Sequence, residues 1–244
     1  MQKGAWSRGW WRMDYFPFVA LGFHGNPFRR LTDDESAAVA VLPDELVCVA
    51  RSSSDHVQIL GAQGRGKSTC LRALGTRFAR NGLRTAYEYL ARGSNSLSGS
   101  LDGFDVVLLD EAQRLKARER ARLFASAASR RRGFRLVVGT HDDMAPLFAG
   151  QRLPLATVRL DSITPARMQE VLTRRLALCA LDDPPAITFS ADAVRYLCDA
   201  FGSNLRGVEC YLYEVFQSKP ARGSLTSGIL ARFEDPRPGP GEVE

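Results

Sequence analysis

The sequence predicts an α/β protein: a three-layered, parallel-sheet core covered by helices on both sides, followed by a small all-helical block. Three observations predict it. Residues 61–68 read Gly-Ala-Gln-Gly-Arg-Gly-Lys-Ser, directly after the apolar run 57–60. From there to residue 160, short apolar runs alternate with stretches of helical period, as strands joined by crossover helices do. Beyond residue 163 only helical periodicity remains. The chain therefore divides into an N-terminal segment and linker (1–55), a core (56–162), a helical block (163–234) and a tail (235–244). The tail is rich in Pro and Gly and is expected to be disordered.

The elements follow in order. Trp6, Trp10 and Trp11 precede an aromatic and apolar stretch over 15–21, which reads as a segment docking on the protein or on a neighbour. Asn26-Pro27-Phe28 is a turn. Thr32-Asp33-Asp34-Glu35 has capping-box spacing and opens a short helix to about residue 41, stopped by Pro43. Residues 57–60 form a strand. A helix over 67–81 puts Leu71, Leu74 and Phe78 on one face and ends at Asn81-Gly82. A strand over 85–90 leads into a Ser/Gly-rich loop over 92–103. Val106-Val107-Leu108-Leu109 is apolar throughout, as a strand buried on both faces must be. A helix over 113–132, a strand over 135–139, a short helix over 143–148 and a strand over 157–160 complete the core. In the helical block Thr164-Pro165 starts a helix with Met168, Val171, Leu172, Leu176 and Cys179 in one stripe. Pro184-Pro185 breaks it. Ser190 caps a helix closed by Gly202, and Asn204 caps the next, which carries Leu205, Val208, Leu212, Val215 and Phe216.

With 244 residues the chain is long enough for a sizeable core. Its net charge of +6 permits anionic partners without requiring them. The five cysteines are scattered and the three histidines far apart, which supports neither a disulfide framework nor a zinc site. Reduced cysteines fit a cytoplasmic protein. No apolar run reaches the length of a membrane span.

The chemistry starts at the glycine-rich loop. G-x-x-x-x-G-K-[ST] between a strand and a helix curls backbone N–H groups around a polyphosphate. Gly61, Ala62, Gln63, Gly64, Arg65, Gly66, Lys67, Ser68 and Thr69 would form this cradle. Lys67 would reach the β- and γ-phosphates, Ser68 would ligate Mg²⁺, and the following helix would offer its positive end. The buried strand at 106–109 then delivers Asp110-Glu111. Asp110 would hold Mg²⁺ through its water shell, and Glu111 would act as general base toward the attacking water. Together the two motifs indicate a nucleoside triphosphatase with Mg²⁺ as cofactor. A third strand ends in Thr140-His141, where polar residues line the ligand crevice of a parallel sheet. Thr140 would bond the γ-phosphate or the lytic water; His141 is the alternative.

With these motifs the chain resembles the AAA+ P-loop ATPases, small bacterial members such as transposition helpers and origin initiators among them. The resemblance covers roughly residues 26–218 and adds Gly202-Ser203-Asn204-Leu205-Arg206. It implies that the nucleotide is ATP, that Thr140 is the first sensor, and that Arg206 leans on the γ-phosphate from an all-α lid. Asn26-Pro27-Phe28 would pack near the adenine. It also implies self-association, with an arginine supplied by a neighbouring subunit; Arg152 is the best-placed candidate and the run Arg130-Arg131-Arg132 a competitor. About fifteen residues separate the second and third strands, too few for a helix with a substrate-gripping loop. Peptide threading is therefore disfavoured. Residues 114–135 carry nine basic side chains and one acid, Glu119. That stretch either binds DNA through its phosphates or is a solvated face; a protein partner is also open. The reading is an ATP-driven switch. The alternatives are a non-hydrolysing nucleotide-gated module and, less well supported by the order of elements, a small-molecule kinase.

Overall fold

The computed structural model describes residues 17–52, 56–94, 96–99, 101–129 and 134–233. The tryptophan-rich start, Arg130-Arg131-Arg132 and the tail lie outside the described residues. The chain folds as two compact units. One comprises Leu31–Ile163 and Gly202–Arg206; the other draws on the described residues of Met1–Arg30, Thr164–Phe201 and Gly207–Glu244.

The first unit is built on five strands: β1 (His56–Leu60), β2 (Thr85–Tyr89), β3 (Val106–Asp110), β4 (Arg135–Thr140) and β5 (Leu155–Arg159). Their spatial order is β2-β3-β4-β1-β5 and every pairing is parallel. The three central strands are buried at every residue, which is why β3 is apolar without alternation over Val106-Val107-Leu108-Leu109, while β1 and β4 also bury His56, Gln58, Arg135 and Thr140. Alternate residues face opposite ways. Val106 and Leu108 of β3 and Val137 of β4 join Leu71, Leu74 and Phe78 in one core. Val107, Leu109, Leu136 and Val138 join Leu123, Phe124 and Phe148 in the other. The helices are thereby assigned: α3 (Lys67–Arg80) covers one face, and α4 (Ala117–Ser129) with α5 (Ala145–Gly150) the other.

Residues 31–52 belong to this unit. α1 (Asp33–Val39) starts at Thr32 with both capping-box hydrogen bonds in place, as the spacing predicts. It meets α3 through an Asp33–Arg72 ion pair at 3.0 Å. A helix the sequence reading lacks follows it, α2 (Asp44–Ser52). Its Leu46 is fully buried in the α3-side core. Its final carbonyls, at Val49 and Ala50, accept hydrogen bonds from the buried guanidinium of Arg135.

The second unit holds α6 (Pro165–Cys179), α7 (Ala191–Phe201), most of α8 (Leu205–Gln217) and α9 (Ser227–Leu230). It is not helical throughout, contrary to expectation. β6 (Ile187–Phe189) and β7 (Gly223–Leu225) pair in parallel, with Ile187, Phe189 and Leu225 buried. Residues 17–30 are part of this unit. Phe23 and Phe28 pack on Phe216 with ring centroids 5.8 Å and 5.2 Å away, and Arg175, 3% exposed, donates to the Arg29 carbonyl at 2.9 Å. The stretch read as one N-terminal segment is thus shared between two cores.

Candidate nucleotide site

The phosphate-binding loop forms because β1 ends fully buried and α3 begins seven residues later. Gly64 and Gly66 turn the chain at φ +81° and +85°, angles at which a Cβ is strained. The first helical hydrogen bond recorded runs from Cys70 N–H to Gly66 O at 2.9 Å. The N–H groups of Lys67, Ser68 and Thr69 therefore have no intrahelical acceptor and stand at the positive end of a 14-residue helix. Ala62 and Gln63 are exposed, Ser68 half-buried. The Thr69 hydroxyl lies 3.4 Å from that of Ser36 on α1, so only its backbone faces the cradle.

Lys67 is 5% exposed. Its ammonium donates to the Gly61 carbonyl at 2.7 Å and the Ala62 carbonyl at 3.0 Å. Burial pushes its pKa down, while the carboxylates of Glu111 and Asp110 pull it back up and Arg65 and Arg206 oppose them. One buried cation thus feels four of the charged residues expected at the site.

Asp110 and Glu111 end β3 in different states. Asp110 is fully buried. Its Oδ2 accepts from the Tyr87 hydroxyl at 2.9 Å, and its Oδ1 has no hydrogen-bond partner among the described residues. A buried carboxylate oxygen without a donor is costly. With the Ser68 hydroxyl it supplies the hard oxygens that Mg²⁺ takes, so the residues present fit that ion. Gly139 sits beside Asp110 in the sheet register. A Cβ there would lie 2.8 Å from Leu71 Cδ1 and 3.3 Å from Asp110 Oδ1. Gly139→Ala is therefore expected to cost about 1–3 kcal/mol of overpacking, read as a lowered urea midpoint.

Glu111 adopts φ +62°, a left-handed backbone costing about 1–3 kcal/mol for a non-glycine residue. Both its carboxylate oxygens are held. Oε1 lies 3.1 Å from His141 Nε2; Oε2 accepts from Gln113 at 2.8 Å and pairs with Arg114 at 3.0 Å. Arg114 also donates to the Leu90 carbonyl at 2.7 Å. This arginine, counted within the basic stretch, points into the site. Charge counting misses it; its place three residues after Glu111 is the one signal that was available.

At the third strand end the two neighbours part. The Thr140 hydroxyl is taken up by the Asp142 backbone, donating to its carbonyl at 2.8 Å and accepting from its N–H at 3.1 Å. His141 faces the site, with both ring nitrogens 3.4 Å from Lys67 Nζ and Nε2 on Glu111. The segment before α8 closes the loop from the other side. Arg206 N–H donates to the Gly64 carbonyl at 3.1 Å, Ser203 donates to the Asp161 carbonyl at 3.1 Å, and Arg65 pairs with Asp161 at 2.7 Å. The Arg206 side chain is exposed. Arg152 is exposed on a left-handed turn after α5, at φ +55°, and is not brought to the phosphate loop. Of the basic stretch, Lys116, Arg118 and Arg122 are exposed, whereas Arg114 and Arg135 are committed inside. Phe28 is buried among the rings of the helical unit.

No protein-family model matches this chain, and no curated protein matches it in sequence. Solved structures do match. Domain III of the Thermotoga maritima replication initiation protein DnaA aligns with 79% of this chain and 93% of its own length, at 15% identity and TM-score 0.53. A Thermotoga maritima RuvB mutant aligns with 77% of this chain and 64% of its own, at 17% identity and TM-score 0.53. A replication initiator DnaA bound to AMPPCP and single-stranded DNA aligns with 78% of this chain and 66% of its own, at 14% identity and TM-score 0.52. The chain has the fold of the AAA+ P-loop ATPases. No helix among the described residues is long and apolar enough to cross a membrane.

Proposed function

We propose that this chain binds Mg·ATP at Gly61–Ser68, hydrolyses it, and uses the nucleotide state to switch its association with other copies and with a partner. The observation that carries the reading is the convergence on Lys67: a phosphate-loop ammonium, an acidic strand end with one buried carboxylate oxygen that has no donor among the described residues, and a histidine bonded to the adjacent glutamate. Backbone N–H groups of the loop and the start of α3 bind the β- and γ-phosphates. Lys67 exchanges its loop carbonyls for phosphate oxygens. Ser68 and Asp110 would hold Mg²⁺, which neutralises developing charge on the transferred phosphoryl group. Glu111 orients the attacking water and takes its proton. His141, rather than the Thr140 hydroxyl, is the side chain placed to read the γ-phosphate. Arg206 adds positive charge to the site, and Arg152, exposed and unpaired among the described residues, suits a site on a neighbouring copy.

The test is ATP turnover by purified protein with Mg²⁺, compared with Glu111→Gln. A second reading, a nucleotide-gated module without hydrolysis, is favoured by one contact: the Glu111–Arg114 pair, since a guanidinium-bound carboxylate is a poor base. Absence of turnover at saturating ATP, with or without DNA, would select it.

DNA is the partner that the exposed Lys116, Arg118 and Arg122 suit, and one DnaA neighbour carries single-stranded DNA. Retention of DNA by the protein at low salt is expected to require ATP in a mobility assay. Because phosphate contacts are strongest at low salt, no retention there removes DNA from the proposal.

A further inference from the structure

We infer that Tyr87 is a positioning residue for the divalent cation: its hydroxyl fixes Asp110 so that one carboxylate oxygen is held and the other is presented. The inference rests on the assignment of Asp110 to Mg²⁺. Tyr87 lies on β2, paired in register with Leu108, two residues before Asp110 on the same face of β3. Its hydroxyl has one proton, and that proton goes to Asp110 Oδ2 at 2.9 Å. On the other side of Asp110 the register position is Gly139, which has no side chain to donate to Oδ1. One neighbour donates and the other has no donor to offer; among the described residues the carboxylate is held at one oxygen only.

The tyrosine is itself fixed. The Arg72 guanidinium on α3 lies 4.9 Å from the centre of its ring and is paired with Asp33 on α1. Arg72 is five residues after Lys67 on the same helix. The helix that carries the phosphate cradle therefore also buttresses the ring that orients the metal ligand. Partners one step outside a metal's ligands commonly change metal affinity by about 10–100-fold when removed.

The experiment is calorimetric titration of AMPPCP into wild-type protein, Tyr87→Phe and Asp110→Asn, each with excess Mg²⁺ and with EDTA. Phenylalanine keeps the ring against Arg72 and removes only the donor. Tyr87→Phe is expected to bind AMPPCP as the wild type does in EDTA and to lose about 10-fold of the tightening by Mg²⁺. Unchanged Mg²⁺ tightening in Tyr87→Phe, with tightening lost in Asp110→Asn, overturns the positioning role and leaves Asp110 as the metal residue. Full tightening retained by Asp110→Asn overturns the metal assignment and this inference with it. An equal loss for Tyr87→Phe with Mg²⁺ and with EDTA assigns the hydroxyl to the fold and also overturns the inference.

Discussion

Lys67→Ala is expected to weaken ATP binding by at least about 100-fold, taking two charge-assisted hydrogen bonds at roughly 1.5–3 kcal/mol each. Two losses add in the same direction. The ammonium no longer meets the phosphates, and the Gly61 and Ala62 carbonyls it now holds lose their donor. Those carbonyls belong to the cradle, so its shape is also at risk. Burial opposes the charge on Lys67 while Asp110 and Glu111 sustain it. Alanine therefore leaves the incoming phosphates to meet the Asp110 and Glu111 carboxylates without the Lys67 cation. Calorimetry with AMPPCP measures the loss directly. Binding as tight as the wild type's would mean that the nucleotide is not held by this loop.

Much of the sheet unit was legible because burial on both faces writes itself into sequence. Val106-Val107-Leu108-Leu109 is unbroken apolar since neither face of β3 meets water, and Thr32 with Glu35 three residues on has one economical use. What escaped was written in shorter or less local signals. α2 follows Pro43 and has nine residues; its single deep contact, Leu46, is indistinguishable in sequence from a loop leucine. β6 and β7 have three residues each, too few to display a period of two. At the site, residue types were legible and side-chain directions were not. Thr140 and His141 are adjacent at a strand end, and only the turn through Asp142 decides which one faces Lys67. The basic stretch fails for the same reason. Arg114 and Arg135 differ from Arg118 in what surrounds them, not in type.

That difference bears on how the site is controlled. Arg114 ties Glu111 Oε2 to the Leu90 carbonyl at the end of β2, and two residues beyond it begins the surface carrying Lys116, Arg118 and Arg122. Glu111 and the outward basic side chains are thus joined through a 3-10 turn, Ala112–Arg114. If the proposed partner engages those side chains, it engages a segment covalently continuous with Glu111.

Glu111→Gln is expected to leave AMPPCP affinity within about 2-fold of the wild type and to slow ATP turnover by about 10²–10⁴-fold, the range of a lost general base. The substitution is isosteric, and the amide can still accept from Arg114 through its oxygen, so the left-handed backbone at residue 111 keeps its side-chain tether. What disappears is a carboxylate able to receive the water's proton. Because Glu111 is also bonded to His141, and His141 faces Lys67, the variant separates two roles that the structure joins. If the carboxylate serves as base, turnover falls while binding persists, and the bound state accumulates. If it serves chiefly to hold His141 in place, His141→Ala should depress turnover as far as Glu111→Gln does, and the double variant should be no slower than either. Steady-state turnover beside equilibrium binding for these three variants decides between them; wild-type turnover in Glu111→Gln would remove both roles from this residue.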